Sequence, residues 1–133
     1  MWSERARVDY TLKRRATLAS LFRGLTTPTD VCDPDPYLLR AAKHHGETTE
    51  RTCPVCRREM LVELSYTFGD QLGQYSGRLK ARAELEAMAR EHGEFSVYVV
   101  EVCTGCGWNH LVVSFVLGDG VPRTPERRRR SAD

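Results

Sequence analysis

Two Cys-x-x-Cys pairs constrain this chain more than any other feature. They are Cys53-Pro54-Val55-Cys56 and Cys103-Thr104-Gly105-Cys106, and the second runs on into Gly107. One such pair sets two sulfurs on a tight turn. Two turns facing each other supply four thiolates, the donor set of a tetrahedral site with no open coordination position. Four of the five cysteines fall into this pattern, so the spacing predicts one structural zinc per chain, held by Cys53, Cys56, Cys103 and Cys106. Iron is the alternative, because it also accepts tetrahedral sulfur. A closed site offers a substrate no place on the metal, and the rest of the sequence holds no nucleophile–base set. The chain is therefore expected not to be an enzyme, and a small-molecule substrate is not expected.

Composition points the same way. The 133 residues are 41% hydrophobic and 29% charged, which implies a small core that a metal staple would reinforce. No run of 18 apolar residues occurs, so no membrane-spanning helix is expected. The start, Met1-Trp2-Ser3-Glu4-Arg5, leads into mixed charge and not into an apolar leader. Paired cysteines in such a chain read as reduced, metal-bound thiols, and the expected compartment is the cytoplasm. The net charge of +2 is unevenly spread. Arg5, Arg7, Lys13, Arg14, Arg15 and Arg23 outnumber Glu4 and Asp9 at one end, and Arg123 with Arg127, Arg128, Arg129 and Arg130 outnumber three acids at the other. Basic ends on an acidic body are either solubilising or arms for a polyanion.

Taken in order, Val8, Leu12, Leu18, Leu21 and Phe22 recur at mostly helical spacing and predict a helix over 7–23, stopped by Gly24. Asp35 as an N-cap before Pro36 predicts a second helix, ended by Gly46. The connection is too long for a helix-turn-helix, so an N-terminal helical pair is expected to pack on the rest or hold a partner. Cys32 reads as a free, partly buried thiol, with a fifth-ligand or redox role as the alternative. His44 and His45 read as helix-end residues, and 47–51 as polar linker. Met60 to Phe68 alternates and predicts a half-buried strand with Met60, Val62, Leu64, Tyr66 and Phe68 on the inner face. A loop over 69–75 precedes a helix over 77–92, capped by Ser76. Phe95 to Val102 and Leu111 to Leu117 predict two strands flanking the second cysteine turn, with the metal at the hairpin tip. His110 reads as a side chain bonded to the backbone of that turn. The tail from Pro122 has the composition of a disordered segment.

The layout over about 50–118, with two Cys-x-x-Cys knuckles and the second within a β-hairpin, resembles the zinc-ribbon class. It implies an α+β fold: a zinc ribbon with a three-stranded antiparallel sheet, an inserted helix over 77–92 and an N-terminal helical pair. The expected division is 1–46 helical, 47–118 ribbon and 119–133 basic tail. The gap between the pairs exceeds the usual 15–20 residues, and the inserted loop and helix account for the excess. The knuckle wording also looks like rubredoxin, which holds iron, but Arg57 stands where a second glycine would follow the first pair. At the level of the whole chain, four segments make the sequence resemble an uncharacterised actinobacterial zinc-ribbon family, a domain of unknown function. They are Asp35-Pro36-Tyr37-Leu38-Leu39-Arg40-Ala41-Ala42, the first knuckle, Glu91-His92-Gly93-Glu94-Phe95 and Cys106-Gly107-Trp108-Asn109-His110. That resemblance implies a fold and a lineage and supplies no activity. The functional expectation is a zinc-stabilised binding module that docks on RNA polymerase, the ribosome or nucleic acid. Arg14, Arg15 and Arg127 to Arg130 would meet phosphates, and Trp108 would either stack on a partner or pack on its own knuckle. The alternatives are a protein-interaction or regulatory adaptor that touches no nucleic acid, and a rubredoxin-like iron redox protein.

Overall fold

The computed structural model describes residues 4–27, 32 and 34–121. Its centre is a six-stranded antiparallel sheet. In chain order the elements are β1 (Arg5–Asp9), α1 (Thr11–Phe22), α2 (Pro36–His45), β2 (Glu47–Thr52), β3 (Met60–Phe68), a 3-10 turn (Asp70–Tyr75), β4 (Arg78–Lys80), α3 (Arg82–Glu91), β5 (Phe95–Val102) and β6 (Asn109–Leu117). The strands lie in the order β1-β6-β5-β3-β2, and β4 also pairs with β3. The protein is thus mixed α+β, as expected, but its sheet has six strands where the sequence predicts three.

The three expected strands are the central ones, because burial gave them a pattern. The extra three are edge pieces. All five residues of β1 are exposed, so it carries no alternation to read. It replaces the start of the predicted 7–23 helix, which begins only at Thr11. There the Asp9 side chain accepts the Thr11 N–H at 2.7 Å, satisfying one of the free donors of the first turn. Residues 47–51 form most of β2 and are not linker; threonines at 48, 49 and 52 are suited to a strand. The predicted 77–92 helix starts five residues late. Arg78–Lys80 is pulled into pairing with β3, and Ser76 caps nothing at that helix. Instead, the Ala81 N–H donates to Glu84 Oε1 at 2.8 Å.

The sheet is covered on both faces. Leu85 and Met88 of α3, with Leu72 of the 3-10 turn, pack on Phe95, Val97, Val99, Val113, Phe115 and Leu117. On the opposite face, Leu38, Ala41 and Ala42 of α2 meet Val62, Leu64, Tyr66, Val100 and Val102. Two-sided cover changes the reading of β3. Ser65 and Thr67, predicted to face solvent, are buried under the α3 side, while Met60 and Phe68 are exposed at the strand ends. The helix cap predicted at Asp35 is present: its carboxylate accepts the Tyr37 N–H at 2.7 Å. At the other end of α2, Gly46 lies so close to β3 that a Cβ there would come within 2.6 Å of Val62 Cγ2 and 2.5 Å of the Ala42 carbonyl.

Gly46→Ala is therefore expected to push α2 off the sheet and to destabilise the protein by about 1–3 kcal/mol, the usual cost of overpacking. Chemical denaturation would read this as a lowered midpoint. An unchanged midpoint would mean that α2 does not pack on β3 in this way.

Candidate metal centre

Each Cys-x-x-Cys pair closes a hairpin. The first joins β2 to β3, and the second joins β5 to β6. The central pairing decides where they sit. β3 and β5 run antiparallel with Val62 opposite Val102, so the first residues of β3 and the last of β5 lie at the same end of the sheet. Both knuckles are thereby held side by side. The long segment between the pairs is an out-and-back excursion, along β3, through β4 and α3, and home along β5. Its length is immaterial to the geometry of the cysteines.

The two turns share one backbone design. In the first, Cys53 N–H donates to the Glu59 carbonyl at 2.8 Å and Arg57 N–H to the Cys53 carbonyl at 3.0 Å. In the second, Cys103 N–H donates to the Trp108 carbonyl at 2.8 Å and Gly107 N–H to the Cys103 carbonyl at 3.0 Å. Gly107 has φ +92°, and its counterpart Arg57 has φ +58°. Arg57 thus adopts the left-handed conformation that glycine takes more cheaply. The missing second glycine does not alter the shape of the turn.

The four sulfurs converge. Cys53 Sγ lies 3.7 Å from Cys106 Sγ, and Cys56 Sγ 3.7 Å from Cys103 Sγ; all four lie within 4.8 Å of one another. Ligands about 2.3 Å from a tetrahedral centre stand about 3.8 Å apart, so the residues fit a four-thiolate metal ion. Cys53 and Cys103 are fully buried, Cys56 and Cys106 half-buried. Burial pushes the Cys53 and Cys106 thiols up to about 12. The Cys56 thiol falls to about 6, chiefly because the backbone N–H of Arg58 points at its sulfur, with that of Glu59 adding to it. Further N–H donors, from Val55 to Cys53 Sγ and from Cys106 to Cys103 Sγ, lie at 3.4 Å. Together they favour negative sulfur.

Behind the knuckles stands a residue that the sequence reading passed over. Glu101, with no exposed surface, accepts from Trp108 Nε1 at 2.7 Å, Arg14 Nε at 2.6 Å and Arg51 Nη1 at 2.7 Å. Arg51 also pairs with Glu63. The one available signal was its place as the only charged residue in Phe95–Val102. This node relocates two of the predicted partner contacts. Trp108 is wholly buried, so its indole packs on its own knuckle, stacked against His110 at 5.8 Å and 16°, and is not a platform for a base. Arg14 turns inward to Glu101. Arg15 remains exposed on α1, and Arg127, Arg128, Arg129 and Arg130 lie outside the described residues. His110 Nδ1 meets the carbonyl of its neighbour Leu111, within β6, at 2.7 Å, and not the backbone of the knuckle turn as expected. Cys32 is free and half-buried, as read from the sequence, and its Sγ lies 3.6 Å from Cys106 Sγ.

The comparisons with known proteins agree with the resemblance in lineage and add no activity. The model of a family of unknown function, DUF5318, matches residues 1–131. Uncharacterised proteins of Mycobacterium tuberculosis and Mycobacterium bovis are 50% identical over 120 residues, spanning 90% of this chain and 88% of theirs. No solved structure matches.

Removing one partner of a buried charge costs several kcal/mol. Glu101→Gln is expected to destabilise the protein by about 3 kcal/mol, and Arg14→Ala by less, since Arg51 and Trp108 stay on the carboxylate. Urea titration followed by Trp fluorescence checks both. Losses within error of zero would show that the node does not hold the fold.

Proposed function

The chain belongs to the DUF5318 family, and from that premise and its four converging sulfurs we propose that it is a zinc-stapled binding module. The supporting observation is the closed donor set: two sulfurs from each knuckle, spaced as a tetrahedron requires, with no fifth position for a substrate. Cys53, Cys56, Cys103 and Cys106 would hold the ion, which supplies folding free energy and no reaction. On this reading the chain is not an enzyme. The fold is a zinc ribbon enlarged by edge strands and helices. Both knuckles have the same turn geometry despite Arg57, so the missing glycine does not separate iron from zinc, and the metal is decided by elemental analysis.

The proposed role of the stapled module is to dock on transcription or translation machinery, or on nucleic acid, through basic residues at its periphery. Arg15 on α1 and the arginines of 127–130 are the contacts, and Arg14 and Trp108 drop out because the fold uses them. The adaptor reading has its own support. A shallow cleft of about 320 Å³ runs between the end of α1 and the first knuckle, lined by Phe22, Thr52, Cys53, Pro54 and Arg57. Phe22 and Leu25 are exposed there or nearby in sequence, which suits an apolar protein surface better than a phosphate backbone.

Elemental analysis of the purified chain is expected to give one zinc per chain, and Cys53→Ser to lose both zinc and the cooperative unfolding transition. A metal-free Cys53→Ser protein with native thermal stability would contradict the staple. The proton balance supplies an independent check. With Cys53 and Cys106 near 12, both are thiols at pH 7.5, whereas Cys56, near 6, is already thiolate. Ligation requires the thiolate, so zinc added to metal-free protein should release at least these two protons, and affinity should rise with pH. Release of none would contradict four-thiolate ligation.

Partner class is separated by affinity purification from native cells, with and without nuclease. Partners lost on nuclease treatment, and weakened together by salt and by Arg15→Ala with alanines at 127–130, would support phosphate docking. Retention after nuclease, unaffected by those substitutions, would favour the adaptor.

A further inference from the structure

The fifth cysteine is not remote from the other four. Cys32 Sγ lies 3.6 Å from Cys106 Sγ, no farther than the four clustered sulfurs lie from one another across their 3.7 Å pairs. Yet Cys32 is outside the group whose sulfurs all lie within 4.8 Å. It therefore touches the cluster from outside, over one member. A second observation fixes the segment in place. Gly107 has φ +92°, and a Cβ there would come within 2.6 Å of the Cys32 carbonyl oxygen and 2.9 Å of Pro34 Cδ. Cys32 and Pro34 are thus seated on the second knuckle, and Gly107 makes room for them.

We propose that Cys32 and Cys106 are an oxidation site: hydroperoxide converts them to a disulfide, which removes one of the four sulfurs from the metal. The thiolate form of Cys106 and the consequence for the ion rest on the metal reading; the contact of the two sulfurs does not. Among the four clustered cysteines, Cys53 and Cys103 are fully buried, while Cys56 and Cys106, like Cys32, are half-buried; of these two, Cys106 is the one in contact with Cys32. The reacting form of Cys106 is its thiolate, which ligation would favour. The thiolate attacks one peroxide oxygen; an S–O bond forms, the O–O bond breaks, and hydroxide leaves, so Cys106 becomes a sulfenic acid. The Cys32 thiol then attacks that sulfur. The S–S bond forms, the S–O bond breaks, and the hydroxyl departs as water with the Cys32 proton. Two electrons pass from the two sulfurs to one peroxide. The sulfurs must approach by roughly 1.5 Å to reach bonding distance. A disulfided Cys106 no longer offers a thiolate, and the three remaining cysteines leave the ion underligated. Because a sulfenic acid resolved by a neighbouring thiol is protected from further oxidation, the change is reversible by a dithiol.

The test uses the full chain as purified, with hydrogen peroxide as oxidant, a chromogenic chelator to follow zinc release, and alkylation with peptide mass mapping to locate disulfides. In the native sequence, a Cys32–Cys106 disulfide should grow in step with zinc release, and dithiothreitol should restore both thiols. In Cys32→Ser and Cys32→Ala, zinc release should slow by about 5-fold or more, since the resolving thiol is gone. A dione probe should then trap Cys106 as the sulfenic acid. Two results would overturn the proposal: release from both variants at the native rate, or a disulfide map that omits Cys32. If the chain carries no metal yet the Cys32–Cys106 disulfide still forms, the metal reading fails and the oxidation site stands.

Discussion

One buried carboxylate couples the parts of this molecule. Glu101 has no contact with water, and an ionised group so placed is tolerated only when its lone pairs are occupied. Three donors from three separated stretches do this: Arg14 from α1, Arg51 from β2 and Trp108 from the second knuckle. The loss of any one leaves the buried carboxylate less fully satisfied. The N-terminal helix, an edge strand and the knuckle are therefore held to one point on β5, two residues before Cys103. Leu18 of α1, packed with Leu61, Trp108, Cys53 and Cys103, adds apolar contact around the polar node. The four sulfurs sit on a platform fixed from beneath.

The sheet register supplies the rest of the placement. Each knuckle is a local structure, closed by its own backbone bonds, and would form wherever its hairpin formed. What makes one site of two knuckles is the β3–β5 pairing, because both hairpins then open at the same end. Sequence distance between the pairs has no bearing on this, provided the intervening chain leaves and returns along neighbouring strands. It does so here, and uses the excursion to lay α3 over the sheet.

This explains which parts were legible in the sequence. The cysteines and the turns they make follow from spacing, and β3 and β5 follow from runs of apolar and β-branched residues, with their bounds read correctly at 60–68 and 95–102. β1, β2 and β4 were not legible because edge strands are exposed and bear no alternation; their existence depends on a partner already in place. The inner face of β3 was misjudged because single-sided burial was assumed for a strand that α2 and α3 cover from opposite sides. At the site, the same limit applied to direction. Arg14 and Trp108 have the residue types of a nucleic-acid contact, and nothing local to either shows that both turn toward a glutamate distant in sequence from Arg14.

That reassignment has a consequence for how function should be sought. An arginine and a tryptophan near a metal knuckle invite a docking role, but here both are consumed in holding the platform. Substituting either would weaken any binding by damaging the fold, and the loss would mimic that of a contact residue. Among the described residues, the groups free to report on a partner are those the platform does not use: Arg15 and the exposed apolar side chains beside the first knuckle. Cys32 belongs to neither set. It contributes nothing to the four-sulfur donor set and yet rests against one of its members, so its chemistry can alter the site without first unfolding it.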